Sequence, residues 1–212
     1  MAEPPDPRLD AVTGVRALAH ALSAHDGGDE LLGRIAELTG SVVEELREAP
    51  RRERIIPRFG ELVVVTPDAR RRHPMDDRGV AGPANPTAVE FNMRREGEDA
   101  VADVEFGPAF EGAPGRVHGG MVAAVFDDLT GFVLALVGEP GFTGRLAVEY
   151  RAPVPTETVV EFRARLRERD GRKLFVDADA RLDDKVLATA EATMVLVAPD
   201  HWSTHAHELL GE

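Results

Sequence analysis

The sequence predicts an α+β protein in which one antiparallel sheet curls around one long central helix, with a helical extension at the amino end. Two observations support this prediction. Between residues 116 and 138 the apolar residues recur at the spacing of a helix, around so much of its circumference that the helix must be deeply buried. From residue 87, on both sides of that helix, apolar and polar residues alternate with the period of two that is typical of half-buried strands.

The chain before the sheet is predicted to contain a tail, a helical extension and a linker. Residues 1–8 are rich in proline and charge, which favours disorder. Residues 9–49 carry apolar residues at helical spacing, and Asp26-Gly27-Gly28-Asp29 divides them into two helices. Residues 50–86 are predicted to form a surface linker with two arginine runs, for which phosphate binding is the alternative. A short strand is possible over residues 61–66.

Residues 87–198 are predicted to form two strands, the central helix and four more strands. The first two strands form a hairpin, and residues 107–117 follow as a loop that leads into the helix. A hairpin signal, Asp170-Gly171, lies between two of the later strands. These four later stretches of alternation cover residues 142–151, 158–167, 174–182 and 186–197.

Composition excludes several classes of function. The chain has no cysteine, so disulfides, thiolate metal sites and cysteine nucleophiles are excluded. A formal net charge of -13 argues against a nucleic-acid partner. The first residues do not have the pattern of a secretory signal, and no uncharged apolar run approaches the roughly 18 residues of a membrane span, so we expect a cytoplasmic protein. Residues 199–212 are predicted to be a loose tail whose three histidines lack partners for a metal site.

The start of the central helix is the main candidate site. His118, Gly119 and Gly120 stand where this helix begins, so bare backbone N–H groups point outward at the positive end of its dipole. Such a position suits a developing negative charge. Opposite the apolar face, Asp127 lies near the middle of a narrow stripe of small residues and Asp128 lies nearer its edge. Aspartates on an ordinary helix are solvated charges, but the glycine-rich start favours a functional role here.

Several motifs resemble one known family. Phe110-Glu-Gly-Ala-Pro-Gly-Arg-Val-His-Gly-Gly120 resembles the loop and helix entry of the PaaI-like acyl-CoA thioesterases, which have the hotdog fold. Asp127, nine positions after the histidine, stands where that family keeps its catalytic acidic residue. Residues 150–155 and 171–176 resemble later segments, in an arrangement similar to mammalian thioesterase superfamily members 4 and 5. The resemblance covers residues 91–197, and it departs at Gly112, where some relatives carry asparagine.

This resemblance implies an acyl-CoA thioesterase that needs no cofactor, since coenzyme A is part of the substrate. The Gly119 N–H, beside that of Gly120, would polarise the thioester carbonyl. Asp127 would act as general base or as nucleophile, and Thr143 would hold the water or orient the carboxylate. His118 is expected to fix the turn rather than transfer protons. The family also implies a homodimer or a dimer of dimers with the site across the interface.

Three cations and one apolar residue are the candidates for substrate binding. Arg151, Arg172 and Lys173 would bind the phosphates of coenzyme A, although solubilising edge charge is the alternative for each. Val117, directly before the histidine, is also assigned to substrate binding. Two other functions stay open: a hotdog acyl hydratase or dehydratase, in which the histidine would be essential, and an acyl-CoA-binding or assembly module without turnover.

Overall fold

A computed structural model describes residues 6–52 and 76–198 of the 212-residue chain. The possible strand at residues 61–66, the second arginine run and the three histidines of the tail lie outside these ranges. Three helices are described: α1 (Pro7–Ala24), α2 (Asp29–Glu48) and α3 (Gly119–Val137). The strands are β1 (Glu90–Glu96), β2 (Asp99–Glu105), β3 (Glu111–Ala113), β4 (Arg116–Val117), β5 (Gly141–Tyr150), β6 (Val159–Asp170), β7 (Lys173–Leu182) and β8 (Lys185–Leu196).

Six of these strands form one antiparallel sheet in the order β1-β2-β6-β7-β8-β5. Glycines at the tight turns make two of the hairpins possible: Gly97 has a φ of 62° and Gly171 a φ of 54°, in the left-handed region that side chains disfavour. Along the strands buried and exposed residues alternate, so one face of the sheet packs on α3 and the other faces outward. The predicted hotdog fold, a sheet wrapped around one central helix, is confirmed.

Helix α3 supplies the centre of the core. Nine of its residues are buried, and Phe126 packs edge-on against Phe162 of β6, with 5.1 Å between the ring centroids. The helix ends at Gly138, whose φ of 79° gives the left-handed cap typical of this position. Among the described residues, α3 is the one helix long and apolar enough to cross a membrane by length and composition. Its place inside the sheet accounts for that composition.

Helix α1 begins two residues before the predicted start at Leu9. Asp6 caps it by accepting a hydrogen bond from the Arg8 N–H at 2.9 Å, and Pro7 stands in the first turn, where its missing N–H costs nothing. Val12 and Arg16 of α1 are buried against the rest of the chain. Helix α2, by contrast, has no buried residue among those described.

Two segments predicted as loop or linker carry more structure than the sequence indicates. Within residues 107–117, β3 and β4 form a small hairpin that follows a single 3-10 turn, Pro108–Phe110. Residues 76–89, mostly assigned to the linker, bury Ala84 and Ala88 and are closed by hydrogen bonds such as Ala84 N–H to Asp76 O at 2.8 Å. Neither segment has a regular apolar period from which its structure could be predicted.

Candidate active site

Within the part of the chain that the structure describes, one backbone N–H in the first turn of α3 has no partner. His118 caps this helix: its Nδ1 accepts a hydrogen bond from the Gly120 N–H at 3.0 Å, and its own N–H donates to the Phe110 carbonyl at 2.9 Å. Among the described residues, the Gly119 N–H makes no hydrogen bond. A helix N-terminus with an open N–H is suited to bind an oxygen that carries negative charge.

Tyr150, to which the sequence assigned no role, lies against the same turn. Its hydroxyl donates a hydrogen bond to the Gly119 carbonyl at 2.6 Å. A Cβ at position 119 would approach Cζ of the Tyr150 ring to 3.2 Å, so a side chain there would press on the ring. The only signal in the sequence was the place of this tyrosine at the end of β5, in the segment that carries the family resemblance.

A groove of about 530 Å³ opens beside the helix start. Its walls come from the β3–β4 hairpin, the first turn of α3 and the end of β5 with the loop that follows. Four of the predicted site residues line it: Val117, His118, Gly119 and Arg151. The other lining residues are Gly112, Ala113, Arg116, Val122, Tyr150 and residues 152–154.

The packing around Gly112 explains why the chain departs from the family pattern at this position. A Cβ added at this position would lie 2.8 Å from the Cα of His118, closer than packed atoms approach. The β3 strand therefore lies directly on the residue that caps α3. A side chain such as the asparagine of some relatives would need a different course of the backbone here.

Asp127 and Thr143 lie away from this groove in the single chain. Asp127 is exposed, and its eight-residue separation from Gly119 corresponds to about 12 Å along the helix axis. Thr143 is exposed near the start of β5, whereas Tyr150 at the groove ends that strand. The structure therefore does not bring the predicted carboxylate and hydroxyl to the predicted N–H donor within one chain.

The neighbouring carboxylate, Asp128, is already engaged. It is half-buried and accepts a hydrogen bond from the Ala81 N–H at 3.0 Å, which ties residues 76–89 to α3. Burial raises the pKa of this carboxyl above its ordinary value, against the opposing effects of Arg78 and of the Ala81 N–H. Asp128 thus holds a loop, while Asp127 one position before it faces outward.

The three candidate cations lie at opposite ends of the sheet along the direction of its strands. Arg151 lies at the groove and forms an exposed ion pair with Glu149 at 2.9 Å. Arg172 and Lys173 lie at the β6–β7 hairpin, and Lys173 is level with Phe142 because both pair with Val195 of β8. Within residues 6–52 and 76–198, no group of His, Cys, Asp or Glu side chains has the arrangement of a metal site.

The chain is similar to known thioesterases. The family model described as the thioesterase superfamily matches residues 114–191, from the β3–β4 hairpin to β8. The resemblance to the thioesterases is confirmed. A solved structure described as a thioesterase superfamily protein is 27% identical, with a TM-score of 0.76 over 92% of this chain and 97% of the other. That coverage exceeds the sheet and α3, so the likeness includes part of the amino-terminal region.

Two curated relatives are acyl-coenzyme A thioesterases. The chain is 37% identical to acyl-coenzyme A thioesterase THEM4 of Mus musculus over 91 residues, which are 42% of this chain and 39% of that protein. It is 33% identical to the protein of the same name from Xenopus laevis over 91 residues, 43% of this chain and 41% of the relative. The chain therefore spans about two fifths of the length of these relatives.

Proposed function

We propose that this protein is an acyl-CoA thioesterase that hydrolyses an acyl-CoA thioester to the free acid and coenzyme A. The observation that supports this most directly is the open Gly119 N–H at the positive end of α3, beside a groove. An N–H in that place stabilises the oxygen of a thioester as water adds to its carbonyl carbon. One such donor is typically worth about 3 to 4 kcal/mol in a transition state.

The catalytic carboxylate is Asp127 of a second copy of the chain. Helix α3 begins beside Tyr150 and ends near Gly141, so it runs opposite to β5, which forms one edge of the sheet. If two copies pair along β5 about a two-fold axis, the groove end of one chain lies near the Thr143 end of the other. The exposed side of α3 then brings Asp127 toward the partner's groove. We therefore propose a homodimer, or a dimer of dimers, with two equivalent sites in each dimer.

Asp127 is proposed to remove a proton from water as the water oxygen attacks the carbonyl carbon. The oxyanion is held by Gly119, and when it collapses the carbon–sulfur bond breaks and the thiolate takes up the proton. Direct attack by Asp127, which gives an anhydride that water then hydrolyses, is the alternative route. Thr143 holds the water or orients the carboxylate. Neither route needs a cofactor, because coenzyme A enters with the substrate.

The remaining groups bind substrate. Arg151 is the cation at the groove, and the two-fold pairing would add Arg172 and Lys173 of a second copy from the far end of its sheet. Exposed cations of this kind are accessible to phosphates, and arginine can hold a phosphate through two parallel hydrogen bonds. The acyl chain would lie against Val117 and the small residues of α3.

The hydrogen bonding of His118 favours a thioesterase over an acyl hydratase or dehydratase. Its Nδ1 is occupied as the acceptor of the Gly120 N–H, so the imidazole is held in place as a helix cap. A dehydratase needs its histidine to transfer protons at carbon. We therefore assign His118 a structural role.

The test is release of thiol from a panel of acyl-CoAs by the full chain and three variants. Asp127→Asn should lower kcat by about a hundredfold or more, because the general base is lost, while the oligomer stays intact by size-exclusion chromatography. Asp128→Asn is the matched control and should keep most activity, and His118→Ala should keep part of it. Full activity in Asp127→Asn would contradict the assignment. Tight acyl-CoA binding without turnover by the unaltered chain would instead indicate a binding module.

A further inference from the structure

Helix α1 is fixed along one face to the domain that residues 76–89, the sheet and α3 form. Val12, Arg16 and His20 follow one another at four-residue spacing, so they share the face that packs on the domain. The Arg16 guanidinium donates to the Asn85 carbonyl at 2.9 Å and to the Pro83 carbonyl at 3.3 Å, and it pairs with Glu90 at 3.1 Å. These contacts hold α1 against residues 76–89 and the start of β1.

His20 carries the contact from α1 to the turn that precedes the groove. Its Nδ1 accepts a hydrogen bond from the Ala109 N–H at 3.2 Å, and its ring meets Phe110 edge-on with 5.3 Å between centroids. The imidazole also lies directly on Gly107, where an added Cβ would come within 2.5 Å of the ring. The backbone of this turn is thus shaped around the histidine.

The same turn holds the start of α3. The Phe110 carbonyl accepts the hydrogen bond from the His118 N–H at 2.9 Å, and His118 in turn caps the Gly120 N–H at 3.0 Å. Behind it, the Phe110 ring packs edge-on against the buried Phe106 at 6.5 Å. A continuous series of contacts therefore runs from His20 to the residue directly before Gly119.

We propose that α1 is a positioning element of the site and that it acts through His20, which holds the turn Pro108–Phe110 and thereby the Gly119 N–H in place. This inference rests on the proposed function. His20 does not line the groove, so it is a positioning residue and not a catalytic one. Misplacing a donor by a fraction of an ångström weakens it mainly in the transition state, so the loss falls on kcat rather than on KM.

The test compares three variants of the full chain. His20→Ala removes the acceptor and the ring and should lower kcat by about tenfold, with KM changed much less. His20→Asn places an amide oxygen near the position of Nδ1 and should restore most of that loss. His25→Ala is the matched control, because it removes an exposed imidazole at the end of the same helix and should behave as the unaltered chain. An unchanged kcat in His20→Ala, even with a lower melting temperature, would overturn the proposal.

Hydrogen exchange separates this inference from the proposed function. In His20→Ala, amide exchange measured by mass spectrometry should rise in peptides that cover residues 107–121 and stay unchanged in peptides from β7 and β8. This readout needs no turnover, so it applies even if the chain hydrolyses no acyl-CoA. Absence of hydrolysis would refute the thioesterase proposal and leave the positioning role of His20 open to this test. Exchange in residues 107–121 that is the same in both proteins would refute the positioning role.

Discussion

Two adjacent aspartates on α3 have different environments because a helix turns by about 100° per residue. Asp127 points outward, whereas Asp128 is half-buried and accepts the Ala81 N–H. The sequence placed Asp127 on the narrow stripe and left some ambiguity between the two carboxylates. The hydrogen bond to Ala81 supports giving the structural role to Asp128, since that carboxylate already holds residues 76–89.

This role predicts the stability of two variants at position 128. Asp128→Ala leaves the Ala81 N–H without its acceptor and should lower the free energy of unfolding by about 1 to 3 kcal/mol at neutral pH. Asp128→Asn keeps an oxygen acceptor and removes a partly desolvated charge, so its loss should be smaller. Urea denaturation followed by fluorescence or circular dichroism measures both, and equal stabilities for Ala and Asn would argue against the hydrogen bond.

The pH dependence of that comparison follows from the raised pKa of Asp128. A carboxyl whose pKa is higher in the folded state binds its proton more tightly there, so it stabilises the fold below its unfolded pKa of about 4. That contribution is lost as the pH rises through the folded-state pKa. The unaltered chain should therefore gain stability relative to Asp128→Asn when the pH is lowered from about 7 toward 4. A difference that does not change with pH would contradict the raised pKa.

Among the elements of the fold, α3 both forms the centre of the core and provides the open Gly119 N–H at its start. Proline is tolerated at the first position of a helix because the N–H there is not used by the helix, and His118 already has the extended conformation that a residue before proline requires. Gly119→Pro therefore removes the proposed donor while keeping the helix. Gly119→Ala adds a Cβ against Tyr150 but keeps the donor.

These two substitutions at position 119 test the donor directly. Gly119→Pro should lower kcat by about a hundredfold to a thousandfold, the usual effect of losing one oxyanion donor. Gly119→Ala should lose far less, because its Cβ requires the Tyr150 ring to shift by only a few tenths of an ångström. Acyl-CoA hydrolysis rates and circular dichroism of both variants decide the matter. Similar rates for the alanine and proline variants would exclude the Gly119 N–H as a donor.

The elements that the sequence predicts well are those with a local period. The apolar face of α3 and the alternation in β5 to β8 follow from burial on one side. Such burial produces a periodic pattern of apolar residues within each segment, so the segment's own sequence is enough to predict it. The β3–β4 hairpin and residues 76–89 depend on contacts distant in sequence, such as Val117 N–H to the Val154 carbonyl at 2.9 Å. No periodicity predicts such a contact.

The features of the candidate site were likewise predicted only in part. The glycines at the start of α3 and the resemblance pointed to the helix N-terminus, and the structure places an open N–H and a groove there. The hydroxyl of Tyr150 on the Gly119 carbonyl and the imidazole of His20 on the Ala109 N–H were not predicted. Each of these hydrogen bonds joins residues from elements far apart in the chain, so it can be recognised only once the fold is known.

At the scale of the whole molecule, one chain holds its two sets of proposed site residues apart. The open N–H and Arg151 lie at the end of β5, whereas Thr143, Arg172 and Lys173 lie near its beginning, with Asp127 between them. Strand β5 has no partner on its outer side among the described residues. A two-fold pairing of chains along this edge would join complementary halves into two equivalent sites.

Subunit complementation shows whether each site is shared between two chains. Gly119→Pro and Asp127→Asn chains, each nearly inactive alone, are unfolded together in equal amounts, refolded and assayed for acyl-CoA hydrolysis. Half of the random dimers pair one chain of each kind, and one of their two sites then has both an intact N–H and an intact carboxylate. We expect about a quarter of the activity of the unaltered protein treated in the same way. A mixture no more active than its two parents, although mixed dimers have formed, would contradict a site shared between chains.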